Sequence, residues 1–474
     1  MIPLLLASFL TALALTPLVR ALARRAGIVA KPKSDRWHTR PTAMLGGVAI
    51  FAAVVVPLLA LLPVTRQSLV VIAASTALFL LGLADDFLHI KPYQKFVGQL
   101  LAAAAVVYFG LMLPWTGSFT LNVLITLFWL VGITNAVNML DNMDGLAAGV
   151  CAIAAAFLGW NFYVNQQLPE ALMLAAFACA LAGFLVYNHH PASIFMGDCG
   201  SLFVGFFLAS SALLNGTAGG RSRSVVAVLA VPVLVLLVPI FDTTLVTLMR
   251  KASGRAASQG GRDHASHRLV ALGLSEKHAV WMLYSFAVLA GLVALLVRHA
   301  ALQVSLGAIG ALIVVLTLVG IYLARVRVYA DAGRPAAFAF LIDLSYKRRL
   351  FEVGLDVVLI VLAYNFAHAV VLGPFADAHR WQPFLRALPV VIALKLAALL
   401  LCGVYRGLWR YARLGDIAGY AAGVVLGSAA SRALFPLDTA VLVIDAALLL
   451  LFIIASRFAF RLLRRLLPLP HERS

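Results

Sequence analysis

Long apolar runs alternate with short polar turns along almost the whole chain. Windows of about 20 residues give spans near 3–20, 45–62, 69–84, 97–113, 119–137, 145–162, 168–187, 200–214, 224–246, 278–297 and 303–324. Four more follow near 353–373, 387–404, 416–431 and 439–457. The pattern predicts an all-α integral membrane protein of about fifteen crossing helices, eleven and then four. A basic amphipathic stretch at 325–350 separates the two groups; it holds Gly333, Arg334 and Pro335 and ends in Tyr346-Lys347-Arg348-Arg349. Two membrane domains are therefore expected, 1–327 and 353–474, with a cytoplasmic linker over 328–352. No internal repeat or low-complexity tract interrupts this arrangement.

Composition agrees with lipid as the solvent. Of 474 residues, 63% are hydrophobic and 12% charged, which is more apolar surface than a chain of this size could hide from water. The cations set the orientation. Arg20, Arg24, Arg25, Lys31, Lys33, Arg36 and Arg40 crowd the loop after the first span. Every second loop from there is also basic, notably 248–277, 325–350, 405–413 and the tail from Arg457. Intervening loops carry isolated cations such as Arg66, Arg298 and Arg432, or the pair Arg221 and Arg223. The positive-inside rule then puts the N-terminus outside and the C-terminus in the cytoplasm. A net charge of +18 reads as topology and contact with anionic headgroups, with no nucleic acid implied. The first charges follow the opening apolar run, so no signal peptide is expected. Cys151, Cys179, Cys199 and Cys402 lack metal-type spacing, and no disulfide is expected.

Against this background seven aspartates stand out: Asp85, Asp86, Asp141, Asp144, Asp198, Asp242 and Asp263. All lie at or just beyond the ends of apolar runs, and the predicted topology puts them all on the cytoplasmic face. Carboxylates gathered on one face suit a divalent cation and the phosphates it neutralises. The pair Asp85-Asp86 would repel unless a cation or proton lies between, and Lys95, ten residues on, could bind a phosphate; a solvated helix end would look similar. Asn135, Asn138 and Asp141 are spaced by three and share a helix face, and Asp144-Gly145 reads as a cap or turn opening the next span. In the stretch from Asn188 to Ser201, Gly197 and Gly200 flank Asp198, and Ser201 is expected to begin a helix whose N–H groups favour an anion. The longest cytoplasmic loop carries Asp263, His264, His267 and Arg268, which could grip a pyrophosphate or sugar, though two histidines in a solvated loop are also unremarkable and too few for zinc.

Together with the turn Arg40-Pro41-Thr42-Ala43-Met44-Leu45-Gly46-Gly47, these motifs resemble the polyprenyl-phosphate N-acetylhexosamine-1-phosphate transferases over about residues 1–325. The resemblance implies transfer of N-acetylhexosamine 1-phosphate from a UDP-sugar to polyprenyl phosphate, with UMP released and cell-surface polysaccharide synthesis begun. It implies Mg²⁺, or Mn²⁺ in its place, a cell (inner or plasma) membrane location with the active site on the cytoplasmic face, and leaves room for a homodimer. By carry-over, Asp198 and Asn138 are metal ligands, while Asp85 and Asp86 position or deprotonate the lipid phosphate. Asp141 and Asp144 help hold the nucleotide. His264, His267 and Arg268 contact diphosphate or sugar, and Lys95, Asn135, Asn188 and Asp263 complete the expected substrate-binding set. Three positions depart from the family pattern: His89 where an acid is frequent, Asn142 where Gly is, and Ser266 where His is. Direct attack and a covalent aspartyl intermediate both remain open.

From about Tyr346 onward the chain is similar to the N-terminal membrane region of the membrane-bound nucleotide-sugar epimerase/dehydratases. Tyr346-Lys-Arg-Arg349, Glu352 with Asp356, and Gly403 to Tyr411 carry that likeness. No G-x-G-x-x-G follows, so no dehydratase chemistry is expected. Other classes predict other patterns. A transporter would place its essential charges near the bilayer midplane, and a non-catalytic scaffold would leave Asp85, Asp86 and Asp198 unexplained. Within the enzyme class, the phospho-N-acetylmuramoyl-pentapeptide transferases are the alternative. One more expectation comes from charge alone: Lys395 and Asp445 lie at similar depth in two outside-to-inside spans and should pair.

Overall fold

The computed structural model describes residues 1–30, 41–214, 225–255, 261–326, 345–373, 376, 378–405 and 415–466. Lys31, Lys33, Arg36, Arg40, the pair Arg221 and Arg223, most of the 328–352 linker, the motif residues Arg406 to Tyr411 and the last residues of the tail lie outside the described residues. The described chain is helical throughout, apart from one short antiparallel pair of strands, β1 (Val29–Ala30) and β2 (Thr42–Ala43).

The first helices in chain order are α1 (Ile2–Arg25), α2 (Gly46–Leu61), α3 (Arg66–Leu88), α4 (Pro92–Tyr108) and α5 (Phe119–Leu140). They are followed by α6 (Leu146–Val164), α7 (Leu168–Asn188), α8 (Gly197–Ser211), α9 (Val225–Val235) and α10 (Leu237–Ala252). Next come α11 (Ala265–Ala271), α12 (Glu276–His299), α13 (Leu302–Ala324) and α14 (Ser345–Leu372). The last are α15 (Gln382–Leu401), α16 (Asp416–Leu434) and α17 (Thr439–Leu466). Local chemistry sets several starts. The Thr65 hydroxyl accepts from Ser68 N at 3.1 Å and caps α3. Pro92 opens α4, where its missing N–H costs nothing, and Gln94 returns to Lys91 N at 3.0 Å.

Eleven helices among the described residues are long and apolar enough to cross a membrane: α1, α3, α5, α6, α7 and α12 to α17. The other four expected spans take a different form. Three are the shorter helices α2, α4 and α8, and the run 224–246 divides into α9 and α10 at Leu236. Pro239 explains that break, since its ring crowds the carbonyl four residues earlier and it donates no hydrogen bond.

The chain forms two compact units. The first comprises Met1–Thr247, Gly260–Val270 and Leu274–Leu295. At its centre lies α8, buried from Cys199 to Ser211 and packed on α3, α5 and α2. A helix apolar on every side has to be enclosed in this way. Contact is close because two neighbours carry glycine there. A Cβ on Gly82 would come within 2.4 Å of Asp198 O, and one on Gly47 within 2.2 Å of Gly200 N. The Pro41–Gly47 turn is also tied to this region: Phe195 N donates to Ala43 O at 2.8 Å, and Gly46 and Gly47 N donate to Phe195 and Met196 O.

The second unit comprises Leu248–Gln259, Ala271–Gly273 and Leu296–Ser474. It therefore includes α13, which lies on the N-terminal side of the boundary expected at 327. That helix packs on α14, and Asn365 donates to Gln303 O at 3.0 Å. Inside the unit, Lys395 and Asp445 are fully buried and bonded to each other, as their depth and charge required. In the same unit, Asp356 Oδ2 accepts from Arg457 at 2.6 Å and from Tyr405 Oη at 2.8 Å. The two motif residues Asp356 and Tyr405 thus meet across 49 positions of sequence.

Candidate active site

The ends of α3, α5 and α8 converge. Asp85 and Asp86 occupy the last turn of α3, and Asp141 caps the C-terminus of α5. Helix C-termini are the negative ends of the macrodipole, so stability alone would put cations there. Three aspartates at two such ends call for a compensating positive group.

Lys95, from the first turn of α4, supplies one. Its ammonium lies 2.5 Å from Asp85 Oδ2 and 2.8 Å from Asp198 Oδ2. Asn138 Nδ2 donates to the other oxygen of Asp198 at 2.6 Å and to Ser201 Oγ at 2.7 Å; its own Oδ1 takes no part in either bond. Burial disfavours the Asp198 anion, but hydrogen bonding with Asp85 and the charge of Lys95 outweigh it and hold the carboxyl below the usual range. Burial likewise opposes the Lys95 ammonium, and Asp198 and Asp85 more than offset that, so its pKa is raised. Two carboxylates and an amide oxygen form a hard-oxygen donor set that fits a divalent cation such as Mg²⁺.

Asp86 is spent differently from its neighbour. Its two oxygens accept from Asp198 N at 2.9 Å and Cys199 N at 3.0 Å, capping α8. The helix begins at Gly197, not Ser201, and its first donors meet this carboxylate instead of a ligand anion. Asn135 and Asn188, expected at the substrate, are also committed to protein partners. Asn135 exchanges hydrogen bonds with Gln99 and donates to Val131 O. Asn188 accepts from Gly145 N at 3.2 Å and donates to Ile194 O at 2.9 Å, stapling the acidic turn to the loop before α8.

Asp144 faces that same loop. Its Oδ2 accepts from Ala192 N at 2.9 Å and lies 3.1 Å from His190 Nδ1, which is 3.5 Å from Glu276 Oε2. These three residues could also hold a cation, their donor atoms all lying within 4.8 Å of one another. Tyr284 on α12 supports the turn by donating to Gly145 O at 2.6 Å. Nothing in the spacing of Glu276 or Tyr284 marks them in the sequence, since each looks like an ordinary helix residue.

The histidine loop folds over the acidic turn. Ser266 Oγ donates to Asn142 Oδ1 at 2.7 Å, and His267 Nε2 lies 3.4 Å from Asn142 O. The departures at Asn142 and Ser266 are therefore a matched pair. His264 Nδ1 is 2.7 Å from Asp242 Oδ2, while Asp242 Oδ1 accepts from Ala265 N at 2.7 Å. Asp242 thus orients the first histidine, a role its position alone did not assign. Burial and the neighbouring His264 lower the pKa of His267 to about 4, so it is neutral near pH 7. Arg268 Nε donates to Asp263 O at 2.9 Å, and both residues are buried within the loop. The structure thus draws Asp85, Lys95, Asn138 and Asp198 into one cluster. The turn after α5 carries two further groups, Asp144 against His190 and Asn142 against the histidine loop.

Comparison with known proteins places the same stretch of chain in one family. Residues 68–216, which include Asp85 to Asp198, match the family described as glycosyl transferase family 4. The chain is 34% identical over 325 residues to a probable undecaprenyl-phosphate N-acetylglucosaminyl 1-phosphate transferase of Bacillus subtilis, covering 66% of this chain and 89% of that protein. It is 34% identical to the decaprenyl-phosphate N-acetylglucosaminephosphotransferase of Mycobacterium tuberculosis, covering 59% of this chain and 78% of the relative. A phospho-N-acetylmuramoyl-pentapeptide-transferase of Lactobacillus gasseri matches over a shorter stretch, 39% of this chain and 66% of that protein, at 34% identity.

Proposed function

The chain belongs to the polyprenyl-phosphate N-acetylhexosamine-1-phosphate transferase family, and on that premise we propose that it transfers N-acetylhexosamine 1-phosphate from a UDP-sugar to polyprenyl phosphate. The supporting observation is the cluster of Asp85, Lys95, Asn138 and Asp198, assembled from three separate motifs at the ends of apolar helices. The basic loops argue that this cluster faces the cytoplasm, where a nucleotide sugar would arrive.

In the reaction a phosphate oxygen of the lipid attacks the sugar-bearing phosphorus of the donor. The bond from that phosphorus to the bridging oxygen breaks, and UMP leaves with the electron pair. A phosphate monoester has its second pKa near roughly 6, so the attacking group is largely dianionic at neutral pH and needs no strong base. Catalysis then rests on alignment and charge neutralisation. Asp85, Asp198 and the Asn138 Oδ1 would hold Mg²⁺, which supplies charge neutralisation to the donor diphosphate. Asn138 and Ser201 keep Asp198 aimed, and Asp86 keeps the start of α8 in place. Asp144 and the neutral His267, both beside the turn that follows α5, are assigned to the nucleotide and sugar.

Purified protein with Mg²⁺, undecaprenyl phosphate and a panel of UDP-sugars tests this reading, with UMP release as the readout. A UDP-N-acetylhexosamine is expected to release UMP only when lipid phosphate is present. Turnover confined to UDP-N-acetylmuramoyl-pentapeptide would move the chain to the other branch of the family, and the absence of UMP release from every donor tested would defeat the assignment.

A further inference from the structure

The position of Lys95 has a consequence for metal binding, and it rests on the transferase reading above. Asp198 has both oxygens engaged, one by the Asn138 amide and one by the Lys95 ammonium, which also touches Asp85. A divalent ion taking both Asp85 and Asp198 as ligands would have to lie between their carboxylates, where the ammonium now lies. Two cations cannot share that volume, because no ligand separates their charges. One partner of Asp198 must therefore give way. Asn138 stands inside α5 and is also bonded to Ser201, so moving it would break two contacts at a packed helix crossing. Lys95 lies at the first turn of α4 on a flexible four-carbon stem, with its side chain 18% exposed.

We propose that Lys95 is the resident counter-ion of the Asp85–Asp198 pair, which a divalent cation must displace to enter the site. The ammonium keeps the two carboxylates together before loading, and its departure frees it for the phosphate groups of a substrate. Lys95 thus weakens metal binding to the substrate-free protein while stabilising the site that receives the metal. A lysine acting only as a phosphate ligand would leave the affinity for metal alone unchanged.

The test is Mn²⁺ binding to the full chain in detergent without substrate, followed by the electron paramagnetic resonance of unbound Mn²⁺ and by thermal unfolding. Lys95→Met is expected to bind Mn²⁺ about tenfold more tightly than the parent and to gain more in melting temperature from it. Lys95→Arg, which keeps a cation, should bind no more tightly than the parent. Should Lys95→Met melt early without metal, Mn²⁺ should restore it towards the parent; failure to do so overturns the proposal. Equal or weaker Mn²⁺ binding by Lys95→Met also overturns it, and leaves the transferase reading intact if UMP release still requires metal. Activity that persists in excess chelator would instead remove the metal from the reading, and this proposal with it.

Discussion

Asp198 is held by a lysine, an asparagine and a helix start that is itself capped by Asp86, so its charge matters more than its shape. Asp198→Asn preserves the shape and removes the charge that would face a cation. UMP release should fall on the order of 10²-fold or more, with the protein still folded. Near-parental turnover by a well-folded variant would take Asp198 out of the site. His267 makes a different prediction. Its pKa is lowered to about 4 in the folded chain, so between that value and about 6.5 the unfolded chain binds the extra proton. Stability from this residue is therefore complete above about pH 6.5 and is lost as pH falls towards 4, by up to about 3 kcal/mol. His267→Gln should flatten the fall in melting temperature over that window, and an unchanged slope would contradict the assignment. Residue types and order were readable from the chain at this scale. Partners were not: Asp85 and Asp86 are neighbours in sequence, yet one meets a lysine and the other caps a helix.

Among elements, two packing features carry measurable consequences. Gly82 lets α3 approach the start of α8 so closely that Gly82→Ala must displace backbone, since the added Cβ would lie 2.4 Å from Asp198 O. Overpacking of this kind costs about 1–3 kcal/mol, and because it displaces a cluster residue it should also depress UMP release. Normal turnover and melting by this variant would show that the helices can separate freely. In the second unit, Lys395 on α15 and Asp445 on α17 are buried together. Replacing either one by Leu strands the other charge and should destabilise the bundle by about 3–5 kcal/mol, while replacing both should cost less. Thermal unfolding of the four chains checks this; a double variant as unstable as the sum of the singles would show that the charges do not depend on each other.

For the whole molecule, the compact units suggest how far the transferase can be shortened. The motifs from Asp85 to Arg268 all belong to the first unit, whereas α13 belongs to the second. A chain ending near Arg327 should keep the donor-dependent release of UMP but melt earlier, because α13 loses the face that α14 covers. If that chain folds, binds UDP-sugar and makes no lipid product, the later helices are part of the catalytic apparatus.

What the sequence determined by itself follows from the cost of exposing backbone and charge to lipid. Apolar runs had to become helices, so the all-α membrane fold was legible, and Lys395 and Asp445 had to find each other because neither could remain alone at that depth. The acidic turns and histidine loop were legible too, as oxygen- and nitrogen-bearing residues placed where a buried span has no use for them. Only the tertiary structure decided which of those groups meet. Their pairing depends on helix crossings set by glycines at 47 and 82, on the proline break between α9 and α10, and on contacts such as Lys95 with Asp198 across 103 positions of chain. Hydrophobic periodicity reports which segments are helices; the side chain that each polar end faces is settled by packing between distant segments, which no local pattern contains.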